Sequence, residues 1–253
     1  MIQFIKDIHQ QARSDGRPVI SFEFFPTKTP EGEIVFFEKS LPALLAAKPD
    51  YCTVTYGAGG GTREKTIGIV DRIQREFDVT TMMHLTCVNS TKEQLREVID
   101  DAHGRGIRNI LALRGDPPGS GGEFVKTEGG FEFSSQLVAF LNELGGFDIG
   151  TAGFPEGHIA CKAGKHVDWG YLAEKIRAGA SFVLTQLFFD NADYFEFRDH
   201  LTRKLGVDVP LIPGLLPIVS HGQTKRFVTM CGAKMPAPFL ARLDELGDRK
   251  SVV

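Results

Sequence analysis

At 253 residues and 42% hydrophobic content the chain can bury a full core, and with no break in composition a single domain over residues 1–253 is expected. A net charge of −3, from 29 basic and 32 acidic residues spread along the chain, leaves no basic block for a phosphate backbone, so nucleic acid is not an expected partner. Four cysteines without a C-x-x-C pair read as reduced thiols, and no run approaches the ~20 apolar residues of a membrane span, so a cytoplasmic protein with no membrane partner is expected.

The first segment, "MIQFIKDIHQQARSDGRP", reads as an amphipathic helix, since it has neither the apolar centre nor the small-residue cleavage site of a signal peptide. Seven β-rich runs follow: "PVISFEFF", "YCTVTY", "TTMMHLTC", "RNILALRG", "FDIGTAGF", "SFVLTQLFF" and "VPLIPGLL". Helical stretches separate them at intervals of roughly 30 residues, the length of a βα unit. In "TKEQLREVIDDAHGRG", Thr91 and Gln94 have capping-box spacing, Leu95, Val98, Ile99 and Ala102 form one apolar stripe, and Gly104 and Gly106 are stop signals. A second helix is expected from Asp168, with Trp169, Leu172 and Ile176 on one face and Gly179 near its end. This alternation predicts a (β/α)8 TIM barrel rather than a doubly wound sheet, although periodicity alone does not separate them. No eighth strand follows "RFVTMCGAKMPAPFLARLDELGDRKSVV", so the barrel is expected to lack that strand and its helices at the C-terminus.

In a barrel the chemistry collects at the C-terminal strand ends. Alternation along "SFEFFPTKTP" puts Ser21, Glu23 and Phe25 on one side and Phe22 and Phe24 on the other, so Glu23 points inward, where an apolar setting should raise its pKa. The next ends carry Thr55, Tyr56 and "GAGGG", then His84, "RGDPP" from Arg114 to Pro118, "FPEGH" from Phe154 to His158, Gln186, and "PGLLP" from Pro213 to Pro217. Each has a plainer reading. Glu23 could be a satisfied buried acid, His84 a core histidine, Asp116 a loop cap and Gln186 a backbone partner. "GAGGG" could offer backbone N–H groups to a phosphate, but it lacks the Lys-Ser/Thr of a P-loop. "HLTC" and "HIAC" hint at a metal, but residues i and i+3 of a strand face opposite sides, so no metal site is expected.

In this order the motifs "SFEFFP", "TVTYGAGGGTRE", "HLTC", "GIRNILALRGDPP", "FPEGH", "AGASFVLTQLFFD" and "PLIPGLLPI" resemble those of the bacterial-type, FAD-dependent methylenetetrahydrofolate reductases. The resemblance runs from Met1 to about Lys250 and implies an oxidoreductase acting on a CH–NH donor. Its FAD would be non-covalent, with NADH or NADPH as co-substrate. A ping-pong cycle would turn 5,10-methylenetetrahydrofolate into 5-methyltetrahydrofolate and feed methionine synthesis. A homo-oligomer is implied on the same ground.

By the same resemblance Glu23 is the acid that opens the folate's methylene bridge, and Asp116 is the carboxylate beside the flavin. Thr55, Tyr56, Ala58, His84, Arg114, Gly115, Asp116, Phe154, His158, Asp168 and Lys175 match cofactor-binding positions, Thr55 on the nicotinamide side. Gln186, Gln223 and Phe227 match substrate-binding positions. Phe154 stands where the family often has a tyrosine, Tyr171 and Glu174 replace an Asn and an Arg that hold the diphosphate, and Leu187 replaces a phenylalanine. Two other readings stand beside this one: an inactive truncated barrel remnant or scaffold, and a metal-dependent barrel hydrolase.

Overall fold

The computed structural model describes residues 2–57, 63–116, 124–218 and 220–247. Its strands are β1 Ser21–Phe24, β2 Tyr51–Val54, β3 Thr81–Thr86, β4 Asn109–Leu113, β5 Asp148–Gly153, β6 Phe182–Thr185 and β7 Leu211–Ile212. They follow one another in the sheet in chain order, and the pairings described are parallel. A doubly wound sheet reverses its strand order; this one does not, which is the order of a TIM-type α/β fold. The chain divides into two compact units, Met1–Thr151 with Ala178–Ser181, and Ala152–Arg177 with Phe182–Val253.

In the first unit α1, Ile5–Ser14, buries Ile5, Ile8 and Ala12. Three backbone N–H groups at its start are taken up at strand starts: Gln3 by Thr80 Oγ1 at 3.1 Å, Ile5 by Asn109 Oδ1 at 3.1 Å and Lys6 by Asp148 Oδ2 at 2.8 Å. An aspartate there also complements the positive end of the helix. The starts of β3, β4 and β5 are thus tied to the segment expected to be an amphipathic helix.

Helix α2, Pro30–Val35, is capped by Thr29 and passes through a π-helical turn, Phe36–Ser40, into α3, Leu41–Leu45. Helix α4 is Arg63–Phe77, α5 is Lys92–Gly104 and α6 is Ser134–Leu144. The capping box of α5 is formed as predicted, and Leu95, Val98, Ile99 and Ala102 are its buried face.

In the second unit α7, Lys165–Arg177, begins three residues before the predicted Asp168. Helix α8, Asn191–Asp199, continues into a π-helical turn, His200–Lys204; α9 is His221–Cys231 and α10 is Ala237–Leu246. The core is Trp169, Leu172, Ala173, Val183, Phe197, Leu201 and Val207, with Ile176 packed against it. Among the described residues no helix is long and apolar enough to cross a membrane.

Candidate functional site

The polar lining of the first unit begins with register. Glu23 pairs with Thr53 and Thr53 with Met82, and two residues further along β3 His84 faces the same way. Glu23, Thr53, His84 and Thr86 therefore share one face of the sheet. His84 Nε2 lies 3.5 Å from Glu23 Oε2; the histidine side chain is 8% exposed and the glutamate side chain 40%.

Burial drives His84 down to about 3, which keeps the imidazole neutral near pH 7, and burial raises Glu23 as the sequence predicted. His84 Nε2, Thr53 Oγ1 and Thr86 Oγ1 are buried without a hydrogen-bond partner among the described residues. Buried polar atoms seldom stay unsatisfied, so this face suits a bound polar group.

Around it the strand ends are stitched to helices. Thr55 N–H donates to Phe24 O at 2.9 Å, and Thr66 Oγ1 on α4 donates to Thr55 O at 3.0 Å. Tyr56 is buried; its hydroxyl accepts from Arg63 Nε at 2.9 Å while Arg63 Nη2 donates to Ser90 Oγ at 2.6 Å. After β4, Arg114 lies over the Phe124 ring at 4.9 Å, and its carbonyl accepts from Val88 N–H at 3.0 Å and Cys87 Sγ at 3.3 Å. Gly115 has φ +85, a conformation glycine adopts without strain, and Asp116 beyond it is exposed. Ala58 and the rest of "GAGGG" after Gly57 lie outside the described residues.

The second unit builds its lining on the loop after β5. Phe154 O accepts from Trp169 Nε1 at 2.8 Å, and the Phe154 and His158 rings meet edge to face at 4.6 Å. His158 N–H donates to Asp168 Oδ2 at 3.1 Å, and His158 Nδ1 accepts from Ala160 N–H at 3.1 Å. Lys175 Nζ donates to Ala152 O at 2.8 Å; burial lowers its pKa to about 8 and Asp168 pulls it back up. Tyr171 and Glu174, on the same helix, are exposed.

Gln186 N–H donates to Gly153 O at 2.8 Å, while Gln186 Oε1 accepts from Leu187 N–H at 3.1 Å. Gln223 is exposed and Phe227 half-buried on α9. A cleft here is lined by residues that include Phe154, Glu156, Gln186, Leu187 and Gly232. Among the described residues no group of three or more His, Cys, Asp or Glu could hold a metal ion.

Sequence reasoning did not single out Thr53, Thr86, Arg63 or Glu156. The two threonines look like ordinary β-strand residues, and only register shows that they share the face of Glu23. Arg63 had a signal, in the "TRE" after the glycines, and Glu156 lay inside a quoted motif without a role.

Residues 7–253 match the family model described as "Methylenetetrahydrofolate reductase". The 5,10-methylenetetrahydrofolate reductase of Escherichia coli K12 is 40% identical over 238 residues, which cover 94% of this chain and 77% of that one. A "Probable methylenetetrahydrofolate reductase (NADH)" of Oryza sativa is 38% identical over 254 residues. That match covers 96% of this chain and 42% of the rice protein, so the chain spans about two fifths of the plant relative.

A solved 2,3-dimethylmalate lyase, at 10% identity and TM-score 0.55, covers 97% of this chain and 86% of its own, a likeness of fold alone. On the family match and the bacterial relative, the chain belongs to the methylenetetrahydrofolate reductase family.

Proposed function

We propose that the chain reduces 5,10-methylenetetrahydrofolate to 5-methyltetrahydrofolate in the cytoplasm, as a flavin-dependent enzyme using NAD(P)H. The observation that carries this reading is an acid with a raised pKa, Glu23, 3.5 Å from the buried neutral imidazole of His84 on a face with unsatisfied hydroxyls. The donor set fits FAD. In the first unit His84 Nε2, Thr53 Oγ1 and Thr86 Oγ1, buried without a hydrogen-bond partner among the described residues, suit the polar edge of a flavin; in the second, taken by itself, the half-buried Lys175 with Asp168 and His158 suits a phosphate. When bound, FAD would supply a two-electron carrier between the nicotinamide and the folate.

The work left to the chain is positioning and proton transfer. Glu23 keeps its proton to a higher pH than an ordinary glutamate and gives it from the carboxyl to the bridging amine of the folate, which opens the methylene bridge. His84, held neutral, keeps a second positive charge away from that step. Asp116 would stabilise the developing cation, and a fixed anion does this best once a ligand has displaced water. Gln186, Gln223 and Phe227 would orient folate, and Thr55 the nicotinamide. Of the reductants, NADH is favoured by the plant relatives, whose names specify it. A homo-oligomer completes the reading, to be checked by sizing with light scattering.

The test is the visible spectrum of the purified protein, before and after NADH under anaerobic conditions and again after methylenetetrahydrofolate. Flavin bands that bleach with NADH and return with the folate are expected. A colourless preparation that takes up no added FAD would overturn the reading.

A further inference from the structure

The Phe154–His158 loop and helix α9 meet through one side chain that the folate chemistry above does not use. Glu156 Oε2 accepts from Lys234 N–H at 2.8 Å, just beyond the C-terminus of α9. Its other oxygen, Oε1, is buried without a hydrogen-bond partner among the described residues. Next to this point α9 ends at Gly232, φ +68, so close to the same loop that an added Cβ would overlap Ile159 Cγ2. A side chain at 232 would therefore force the helix end away from the loop.

Helices α9 and α10 are tied to each other by side chains. Asp244 Oδ1 on α10 receives both His221 Nε2 and Lys225 Nζ of α9, each at 2.7 Å. The Phe189 and Phe239 rings, 5.4 Å apart, rest α10 against the segment after β6. Glu156 is thus a polar tie between the loop bearing Phe154 and a helix pair bearing Gln223 and Phe227.

We propose that Glu156 is a positioning residue for the folate. By accepting the Lys234 N–H it sets where the C-terminal end of α9, and with it the helix that carries Gln223 and Phe227, stands against the cleft lined by Phe154 and Gln186. Phe154 and Gln186 belong to that cleft's lining, as do Gly232 and Glu156 itself, so a shift of the α9 end alters the cleft directly. Such placement is felt in binding more than in chemistry, because weakening an interaction made equally with bound substrate and transition state moves KM and leaves kcat. The inference rests on the folate reading above.

Two variants separate the hydrogen bond from the charge. In E156A the KM for methylenetetrahydrofolate should rise about tenfold with kcat within about twofold, the size of one missing hydrogen bond of ~1.4 kcal/mol. E156Q keeps an acceptor oxygen and should return KM to within about threefold of the parent. Amide hydrogen exchange gives an independent readout: the Lys234 N–H should exchange faster in E156A and recover in E156Q.

An unchanged KM in E156A overturns the proposal, as does equal impairment of both variants or a Lys234 amide indifferent to either change. If the parent itself reduces no folate, it is the functional reading that falls, and the exchange pattern still decides whether Glu156 fixes the helix end.

Discussion

His84 Nε2 stands 3.5 Å from Glu23 Oε2, yet the two do not form an ion pair. The imidazole is driven down to about 3 by its burial, and among the described residues no hydrogen bond forms to Nε2. Glu23 moves the opposite way, because the same crowding penalises its carboxylate. One face of the sheet therefore holds a base that stays neutral and an acid that gives up its proton at a higher pH than an ordinary glutamate, the separation of roles that acid–base chemistry needs.

The His84 shift sets an acid limit on stability. Its folded pKa lies below the unfolded value of about 6.5, so protonation favours the unfolded chain. Its contribution is complete above that value and is lost as pH falls towards about 3, at up to ~1.4 kcal/mol per pH unit. In urea titrations at pH 6 and pH 4, His84→Gln should lose about 2–3 kcal/mol less between the two than the parent does. Identical losses would show that burial does not hold this imidazole neutral.

Glu23→Gln keeps size and hydrogen bonding but removes the proton. Reduction of the flavin by NADH should persist, while turnover with methylenetetrahydrofolate falls by about 10²–10⁴. In the parent the folate step should slow as pH rises through the raised pKa of Glu23, which stopped-flow measurement of the two half-reactions can follow separately. Survival of both half-reactions in the variant would remove Glu23 from its role.

Lys175 ties stability to cofactor binding in opposing senses. Its ammonium is pulled down to about 8, first by burial, with Asp168 opposing. At pH 7 the folded state thus holds a charge at a cost of up to ~3 kcal/mol, and that cost fades as pH rises through the folded value. Lys175→Met should make the flavin-free protein more stable by about 1–3 kcal/mol, less what Asp168 loses with its partner, while weakening FAD binding at least tenfold. Urea unfolding without FAD, paired with a flavin titration, measures both; a less stable variant would mean that the lysine is better compensated than this.

Much of the fold could be read in the residues, and the limits are physical. All seven strands lie within their predicted runs, because apolar and β-branched clusters between breakers are a local signal. The seventh spans only Leu211–Ile212, shorter than its run, because Pro210 and Pro213 offer no N–H to a ladder. The π-helical turns at Phe36–Ser40 and His200–Lys204 had no signature, since one extra residue in a turn leaves composition unchanged. That Glu23 and its strand neighbours Phe22 and Phe24 take opposite faces followed from alternation. The meeting of Glu23 with His84 did not, for that depends on the stagger among β1, β2 and β3, which only their pairing fixes.

Gly153, the last residue of β5, tests how tightly the loop bearing Phe154 and Glu156 is set. An added Cβ would stand 2.7 Å from Val183 Cγ1, 2.8 Å from Phe197 Cζ and 3.1 Å from Leu172 Cδ2, all members of the core under α7 and α8. None of these is the free end of a flexible surface chain, so the core must give way. Gly153→Ala should cost about 1–3 kcal/mol, the range of an overpacked core. The same residue's carbonyl accepts from Gln186 N–H at 2.8 Å, so the displacement should reach the amide proposed to orient the folate. The expected result is a lower urea midpoint together with a raised KM for folate; a lower midpoint with KM unmoved would show that the core absorbs the methyl without moving the strand end. Gly153→Ser adds a hydroxyl with no acceptor in that apolar setting and should be worse than alanine, since burying an unpaired hydroxyl adds its own cost of about 1–3 kcal/mol.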